Sequence, residues 1–404
     1  MVFSTAILPV VSAYDTDSDG VDDSVDDCPV AAGNSSVDRV GCPDRDGDGT
    51  SDKNDPWTIQ GGGFSEEAHQ SSNDDYYAVF FNYDGSQYLT SAENGWMRIW
   101  DTSTRQNLRS VQTDGIFDVG WSPDGAYVAA VTDNDELRVY HASNMSILFT
   151  VSTDVGSGDQ PNELEFSPDG TMIAVVIGRS GNSGTNGEVQ IYNSMTGAEV
   201  TSFNPGSADR FYSVDWSPDG NRILIGGRED VWIYNTGSWG FNSSVNTNRG
   251  SNNGVEWSPD GNAFATCEAW ESSGARVRMY EVATMQQMWS YSTSTSCNTI
   301  AFSPDATQIG ASMTYYQSDG ASVRIFNADT GSIVDTVSGP RPGGCTSGGG
   351  GNNCGSIYGM DWHPNGMYII SAHGRNDEGV YHWIVDPDID NDGVLNEDDA
   401  FPED

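Results

Sequence analysis

The chain has 404 residues and carries 59 acidic against 17 basic side chains, which gives a formal net charge of −42. Such a surface repels nucleic acid and anionic lipid, so both classes of partner are excluded, and binding of cations is favoured. The length fits one large domain with short appendages, and no apolar stretch is long enough to be a transmembrane segment.

Residues 1–13 are apolar and end in the small-residue run Val11-Ser12-Ala13. This pattern predicts a signal peptide with its cleavage site, although the basic segment that usually opens such a signal is absent. The alternative is an apolar arm that packs against the rest of the protein. An export signal would place the mature protein outside the cell or on its surface.

Two terminal segments, residues 14–56 and 386–404, contain three acidic loops of one design. Each loop has Asp at positions 1, 3, 5 and 12, Gly at position 6, and a backbone carbonyl at position 7. Alternate carboxylates on a tight turn converge on one point and supply the oxygen ligands that Ca²⁺ prefers. The predicted Ca²⁺ ligands are Asp15, Asp17, Asp19, Val21 and Asp26; Asp44, Asp46, Asp48, Thr50 and Asp55; and Asp388, Asp390, Asp392, Val394 and Asp399.

The run from Asp15 to Pro29 resembles the thrombospondin type-3 repeat residue for residue. Amphipathic helices do not flank the loops, which argues against paired EF-hands. The resemblance implies Ca²⁺ in a structural, extracellular role, and the alternative is a solvated acidic tail. Without metal the packed carboxylates repel one another, so we expect metal binding and folding of these segments to be coupled.

Seven turns of the Ser-Pro-Asp-Gly type recur between these ends, each preceded by an aromatic residue. A period of roughly 40–60 residues indicates one supersecondary unit repeated along the chain. The turns are residues 82–85, 122–125, 167–170, 217–220, 258–261, 303–306 and 363–366.

Each turn lies between predicted strands. A short strand such as 116–121 precedes it, a hydrophobic run such as 127–131 follows, and a third strand ends in an aromatic residue, as in Arg98-Ile99-Trp100-Asp101. A weaker fourth strand completes the unit, for example at 147–151. Four strands in each of seven units predict an all-β fold, a seven-bladed β-propeller.

From about residue 57 to 385 the chain resembles the WD-repeat propeller family, through the hydrophobic–Ser-Pro-Asp-Gly turn and the third strand ending Trp100-Asp101. It departs from that family in lacking the Gly-His pair that opens a repeat. The last unit shows three clear strands, so we expect a strand near Trp57 to Phe64 to supply its fourth and close the ring.

The six cysteines form three plausible pairs: Cys28 with Cys42, Cys267 with Cys297, and Cys345 with Cys354. An even count beside an export signal indicates disulfides and an oxidising compartment. Zinc is the rival interpretation, but neither a Cys-x-x-Cys motif nor suitable His spacing supports it.

The loops between second and third strands, together with the connections between units, are long and varied, whereas the loops on the opposite face are short. Binding residues concentrate in variable loops on a rigid scaffold, so the first face is the candidate binding face. Trp270, Tyr315 and Tyr316 are its candidate contact residues. The alternative is that these three side chains pack over neighbouring units.

The usual catalytic motifs of metalloproteases, α/β-hydrolases and phosphate-binding loops do not occur. His363 replaces Ser in a turn and is expected to be structural. His373 and His382 flank a loop of the last unit, and a metal or acid–base site there is the enzymatic alternative.

The sequence therefore predicts a secreted or cell-surface, calcium-binding propeller without catalytic activity, which binds protein or glycan or serves as a structural unit. The first alternative is a subunit of an extracellular filament or surface array that associates end to end through its calcium loops. The second is a propeller hydrolase or lyase, which predicts that carboxylates and histidines converge on the central channel.

Overall fold

The computed structural model describes residues 64–71, 75–153, 159–179, 187–205, 210–268, 275–293, 295–313, 322–338, 356–374 and 379–385, together with Val21, Val25 and Val40. Contacts divide the chain into two compact units, of which one is Gly63–Asp386 and the other comprises Met1–Gly62 and Pro387–Asp404. Because nearly all described residues belong to the first of these units, the fold below is that of Gly63–Asp386.

The described residues contain strands and turns and no helix. In chain order the strands are β1 (Phe64–Ser71), β2 (Tyr76–Phe81), β3 (Gln87–Ala92), β4 (Trp96–Asp101), β5 (Asn107–Gln112), β6 (Ile116–Trp121), β7 (Tyr127–Thr132), β8 (Glu136–His141), β9 (Ile147–Ser152), β10 (Asp159–Phe166), β11 (Met172–Arg179), β12 (Glu188–Asn193), β13 (Glu199–Phe203), β14 (Phe211–Trp216), β15 (Arg222–Asn235), β16 (Gly240–Trp257), β17 (Ala263–Glu268), β18 (Ala275–Glu281), β19 (Gln287–Thr293), β20 (Ile300–Phe302), β21 (Gln308–Met313), β22 (Ser322–Asn327), β23 (Ile333–Ser338), β24 (Ser356–Trp362), β25 (Tyr368–Gly374) and β26 (Gly379–Val385).

These strands form antiparallel sheets. Five sheets have four strands, in the orders β2-β3-β4-β5, β6-β7-β8-β9, β10-β11-β12-β13, β20-β21-β22-β23 and β1-β26-β25-β24, and a sixth runs from β14 to β19. The larger sheet contains two long strands that change partner along their length. The first half of β15 pairs with β14 and its second half with β16, and the switch lies at Glu229, whose φ is 69°. The C-terminal part of β16 pairs with β17 instead.

The seven predicted turns are confirmed. In each, the backbone N–H of the fourth residue donates to the carbonyl of the first, for example Gly125 to Ser122 at 2.8 Å. The Asp124 carboxylate accepts the Ser122 hydroxyl at 2.6 Å and the Ala126 N–H at 2.9 Å. The motif recurs because each residue type has a role in the turn. Pro fixes its own φ, the Asp carboxylate accepts hydrogen bonds from groups on both sides of the turn, and the fourth residue has a positive φ that suits Gly.

Apolar side chains that alternate along the strands pack between consecutive sheets. One cluster joins Leu89 and Ile99 to Val128, and a similar cluster joins Ala265 and Met279 to later strands. A further cluster joins the last sheet to the first. In it, Ile370, Ala372 and Val380 pack against Val79, Phe81 and Tyr88. The last sheet therefore contacts the first.

The sheet that contains the C-terminal strand is completed from the N-terminal side. The strand β1 pairs with β26 from Phe64 opposite Val385 to Ser71 opposite Gly379. The expected fourth strand is thus present, but at Phe64–Ser71 rather than near 57–64. The prediction was displaced because β1 carries Ser, Glu, His and Gln and lacks the apolar alternation by which the other strands were recognised.

Gln70 on β1 joins the last sheet to the first through its side-chain amide. Its Oε1 accepts hydrogen bonds from the Tyr88 hydroxyl and from the Nε2 of His382, the latter at 3.3 Å. Its Nε2 donates to the carbonyl of Arg105 at 2.9 Å. Burial lowers the pKa of His382 to about 3, with a smaller contribution from Arg105, so the imidazole is neutral.

His363 makes a second link between the last and the first unit. Its Nδ1 accepts the Asn365 N–H at 3.1 Å, so its Nε2 carries the proton and donates to the Gly85 carbonyl at 3.1 Å. A Cβ at position 85 would lie 2.1 Å from the imidazole. Burial lowers the pKa of His363, which keeps the ring in this neutral form.

Candidate functional site

The strand that leads into each turn is called a first strand, and the first strands border one cavity. The seven first strands are β2, β6, β10, β14, the C-terminal part of β16, β20 and β24. A cavity of about 930 Å³ is lined by residues from all seven or from the segments directly adjoining them. That volume lies within the range of small-molecule and side-chain binding pockets.

Six of the first strands contain a β-bulge at the same place, four residues before the aromatic residue that precedes the turn. A bulge leaves one residue without a partner on the neighbouring strand and redirects its side chain. All six bulged residues line the cavity: Tyr77, Phe117, Asn162, Tyr212, Asn253 and Tyr358.

These residues form an aromatic and amide layer at the end of the first strands away from the turns. Tyr77 and Tyr358 meet edge to face with ring centroids 5.2 Å apart. Asn298, at the equivalent position before the short β20, donates to the Ile357 carbonyl at 3.0 Å, and Asn162 donates to the Phe211 carbonyl at 2.5 Å. This layer is therefore held in place by contacts between adjacent first strands.

A layer of carboxyl groups lies between the bulges and the turns. Side chains alternate between the two sides of a strand, so those one and three residues before the aromatic residue that precedes the turn face the cavity. Acidic residues occupy many of these positions. The carboxyl groups that line the cavity belong to Asp118, Glu163, Glu165, Asp215, Glu256 and Asp361. Among the described lining residues none is Lys, Arg or His.

Each of these carboxyl groups also accepts a backbone N–H from the next first strand. Asp118 accepts from Leu164 at 3.0 Å, and Glu256 accepts from Phe302 at 3.1 Å. In the other four bonds, Glu163 accepts the N–H of Val214, Glu165 that of Trp216, Asp215 that of Trp257, and Asp361 that of Phe81. An N–H at a sheet edge needs a partner, so the acidic residues stabilise the junctions between first strands.

Burial inside the molecule raises the pKa of these groups. The pKa of Asp118, Asp215 and Asp361 rises to about 7. The pKa of Glu163, Glu165 and Glu256 rises well above its usual value, because repulsion from neighbouring carboxylates adds to the burial.

The carboxyl groups of Glu165 and Asp215 are neighbours, and their interaction raises the pKa of Glu165 further while it opposes the rise in the pKa of Asp215. Two carboxyl groups that interact in this way titrate as a pair. Since no basic side chain is among the described lining residues, the cavity has unmatched negative charge whenever these groups ionise.

A partner with positive charge and a flat or extended shape suits this arrangement. Aromatic faces attract cations, and carboxylates pair with guanidinium and ammonium groups. The layered cavity was missed at the sequence level. Its signal was an acidic residue directly before Phe166, Trp216, Trp257 and Trp362, with a Tyr or Asn three residues before that acidic residue.

The residues that the sequence did single out lie largely elsewhere. Of the predicted calcium ligands only Val21 is described, and it lies in a bend; the others fall outside the described residues, as do Trp270, Tyr315 and Tyr316. Within the described part of the chain, no group of three or more His, Cys, Asp or Glu is placed to hold a metal ion.

Cys267 and Cys297 form a disulfide with their Cα atoms 5.4 Å apart. The other two predicted pairs, Cys28 with Cys42 and Cys345 with Cys354, lie outside the described residues.

The two histidines of the enzymatic alternative are not among the described residues that line the cavity. His373 is fully buried, with its Nε2 2.8 Å from the Ser371 hydroxyl, which also accepts the indole N–H of Trp383 at 2.9 Å. His382 binds Gln70. Both side chains stabilise the last sheet, so the described cavity contains carboxyl groups without the expected histidines.

Comparison with known proteins agrees with the repeat pattern. Residues 105–141, which cover β5 to β8, match the WD40 family, the WD domain, G-beta repeat. Over 240 residues the chain is 24% identical to WD repeat-containing protein 1 of Gallus gallus, a match that covers 47% of this chain and 37% of that protein. The match thus spans little more than a third of the relative's length.

In the described residues, no helix has the length and hydropathy to cross a bilayer. The strands, the turns and the family match together identify an all-β chain with WD40-type repeats.

Proposed function

We propose that residues 64–385 form a closed seven-bladed β-propeller. Three observations support this: one cavity is bordered by all seven first strands, the last sheet packs against the first, and β15 and β16 change partner midway. The halves of β15 would then be the second and third strands of the fourth blade. The halves of β16 would be its fourth strand and the first strand of the next blade.

The propeller would serve as a non-catalytic binding or structural module for protein or glycan. The observation that carries this proposal is the bulge repeated in six first strands, since it directs aromatic and amide side chains to one mouth of the cavity. In an antiparallel unit this mouth lies on the side of the loops between second and third strands. It therefore coincides with the candidate binding face.

Cross-linking of the full-length protein to extracellular material tests this face. Tyr212→Ala and Tyr358→Ala should remove the partner captured by the wild type, because both side chains lie at the mouth. The matched control is Phe241→Ala, since Phe241 is 58% exposed on β16 outside the cavity lining. Equal capture by all variants would refute the proposed face.

The terminal segments would bind Ca²⁺ through the three acidic loops and act as stiff extracellular linkers. Support comes from the ligand spacing and from the resemblance to thrombospondin type-3 repeats. Calorimetric titration with Ca²⁺, with thermal melts beside it, tests the proposal. Fewer than two sites, or an unchanged melting temperature, would remove it.

End-to-end association through these loops is the structural form of the same proposal. It predicts filaments or arrays in electron micrographs that dissolve when a chelator is added. Polymers that persist in excess chelator would contradict it.

One observation favours a second candidate, a hydrolase. The interaction between Glu165 and Asp215 shifts their pKa values in opposite directions, and carboxyl pairs with separated pKa values serve acid–base catalysis. Turnover of a glycoside or ester panel that Glu165→Gln abolishes would establish this activity. Identical rates for both proteins would assign any turnover to a contaminant.

A further inference from the structure

The mouth and the wall of the central cavity differ in chemistry along its depth. At the mouth, Tyr77, Tyr212 and Tyr358 present aromatic rings from bulged positions. Further in, six carboxyl groups line the wall, and the described lining contains no basic side chain. A ligand that enters from the mouth therefore meets aromatic faces first and negative charge second.

We propose that this cavity receives a basic side chain, an Arg or Lys, from an extended segment of a protein partner. The inference rests on the proposed binding face and specifies the chemistry of its partner. A long side chain with a cationic end matches the order of the layers. Its stem packs against tyrosine rings, while the guanidinium or ammonium group reaches the carboxylates.

The carboxyl groups are suited to this task without being released from the fold. Each N–H bond occupies one oxygen, as in Glu256 Oε2 with Phe302 and Asp361 Oδ2 with Phe81 at 2.8 Å. A carboxylate has a second oxygen and about four lone-pair sites in all. The junctions between first strands thus persist when a cation binds.

Arginine satisfies the site best because its planar guanidinium has five N–H donors and binds carboxylates through two parallel hydrogen bonds. Carboxyl groups on neighbouring first strands, such as Asp215 and Glu256, offer acceptors at different points of the wall. A small inorganic ion would not use the tyrosine layer, so the two layers together favour an organic cation.

The experiment measures fluorescence anisotropy of a labelled peptide of alternating Arg and Gly, added to the full-length protein at pH 8 in 150 mM salt with Ca²⁺ present. The test variant combines Asp118→Asn and Asp361→Asn, since both side chains have a pKa of about 7 and are therefore largely ionised at pH 8. Each amide keeps an oxygen for the backbone N–H it now accepts, so the junctions remain, while two negative charges are lost.

The control variant combines Glu199→Gln and Glu281→Gln. Both residues are exposed and lie outside the cavity lining, on β13 and at the end of β18. The control variant loses as many negative charges as the test variant. A difference in affinity between the two therefore reports binding in the cavity rather than general attraction of the peptide to an acidic protein. Melting curves of both variants confirm folding.

We expect one binding site on the wild type and on the control, and at least about tenfold weaker binding by the cavity variant, which is the typical effect of removing a charge-assisted hydrogen bond. Tyr358→Ala should weaken binding by several-fold. Equal affinity of cavity and control variants would overturn the inference.

A different outcome would identify another class of ligand. If the Arg-Gly peptide does not bind and Tyr358→Ala still abolishes capture of the natural partner, the occupant is uncharged, such as a glycan. That result refutes the basic side chain but leaves the proposed binding face intact.

Discussion

The amide of Gln70 offers a sharp test of how the last sheet is joined to the first. In Gln70→Leu the side chain keeps a similar size but loses its hydrogen-bonding groups. The Tyr88 hydroxyl and the His382 Nε2 would lose their acceptor, and both residues are almost fully buried, with Tyr88 0% and His382 3% exposed.

The expected loss follows from these two buried donors. An unsatisfied buried donor costs about 1–3 kcal/mol, so two cost about 2–6 kcal/mol. The apolar surface that Leu buries offsets about 1–2 kcal/mol. The difference between the midpoints of these ranges is about 2.5 kcal/mol, so we expect the free energy of unfolding to fall by about that amount, as measured by urea denaturation monitored by tryptophan fluorescence.

The matched control is Gln112→Leu on β5, an exposed residue whose amide makes one long contact of 3.4 Å with the Asn94 carbonyl. It should change stability by less than about 0.5 kcal/mol. A second test adds Tyr88→Phe. This change should destabilise the wild type but stabilise Gln70→Leu, because it removes the donor that the first substitution leaves unpaired. Equal losses for both Gln variants, or simple additivity with Tyr88→Phe, would refute the proposed role of β1.

Three further predictions concern acidity, covalent linkage and backbone strain. The three cavity aspartates have a pKa of about 7 in the fold and of about 3.9 when unfolded, so their contribution to stability is complete below about pH 4 and is lost as pH rises through 7. Melting temperatures at constant Ca²⁺ should fall from pH 5 to 8, less steeply in Asp361→Asn; a parallel slope would contradict this. Replacing both Cys267 and Cys297 by Ser removes a disulfide that closes a loop with a sequence separation of 30. This should lower the free energy of unfolding by about 3–4 kcal/mol. A loss below about 1 kcal/mol would contradict a stabilising role of the disulfide. Ala306 has a φ of 60° at the turn position where the other six turns have Gly. Ala306→Gly should therefore stabilise the protein, and Gly125→Ala, whose new Cβ meets nothing within 4 Å, should destabilise it, each by about 1 kcal/mol in urea unfolding. Changes of the same sign would refute the proposed backbone strain.

The repeat could be predicted from the sequence because its signals are local. Proline, aspartate and glycine at fixed spacing define each turn, and the strands beside them alternate in polarity. These features located β6 and the seven turns at the residue level. The strand β1 was displaced by several residues because its pairing with β26 depends on a contact over more than 300 positions, and its own composition is polar.

The cavity could not be predicted by the same means. A bulge arises from the pairing between two strands and leaves no mark in a single strand, so Tyr77 or Tyr212 read as ordinary alternating residues. The carboxyl groups were counted as part of a very acidic surface. Glu165 and Asp215 are 50 positions apart in the sequence, and they become neighbours only because their strands border the same cavity.

An experimental structure of the chain, by crystallography or electron cryomicroscopy, would show whether residues 64–385 form the proposed closed propeller. We predict seven four-stranded blades, with β1 as the outer strand of the last blade and the six carboxyl groups facing one central channel. Another number of blades, or a strand β1 paired anywhere but with β26, would contradict it.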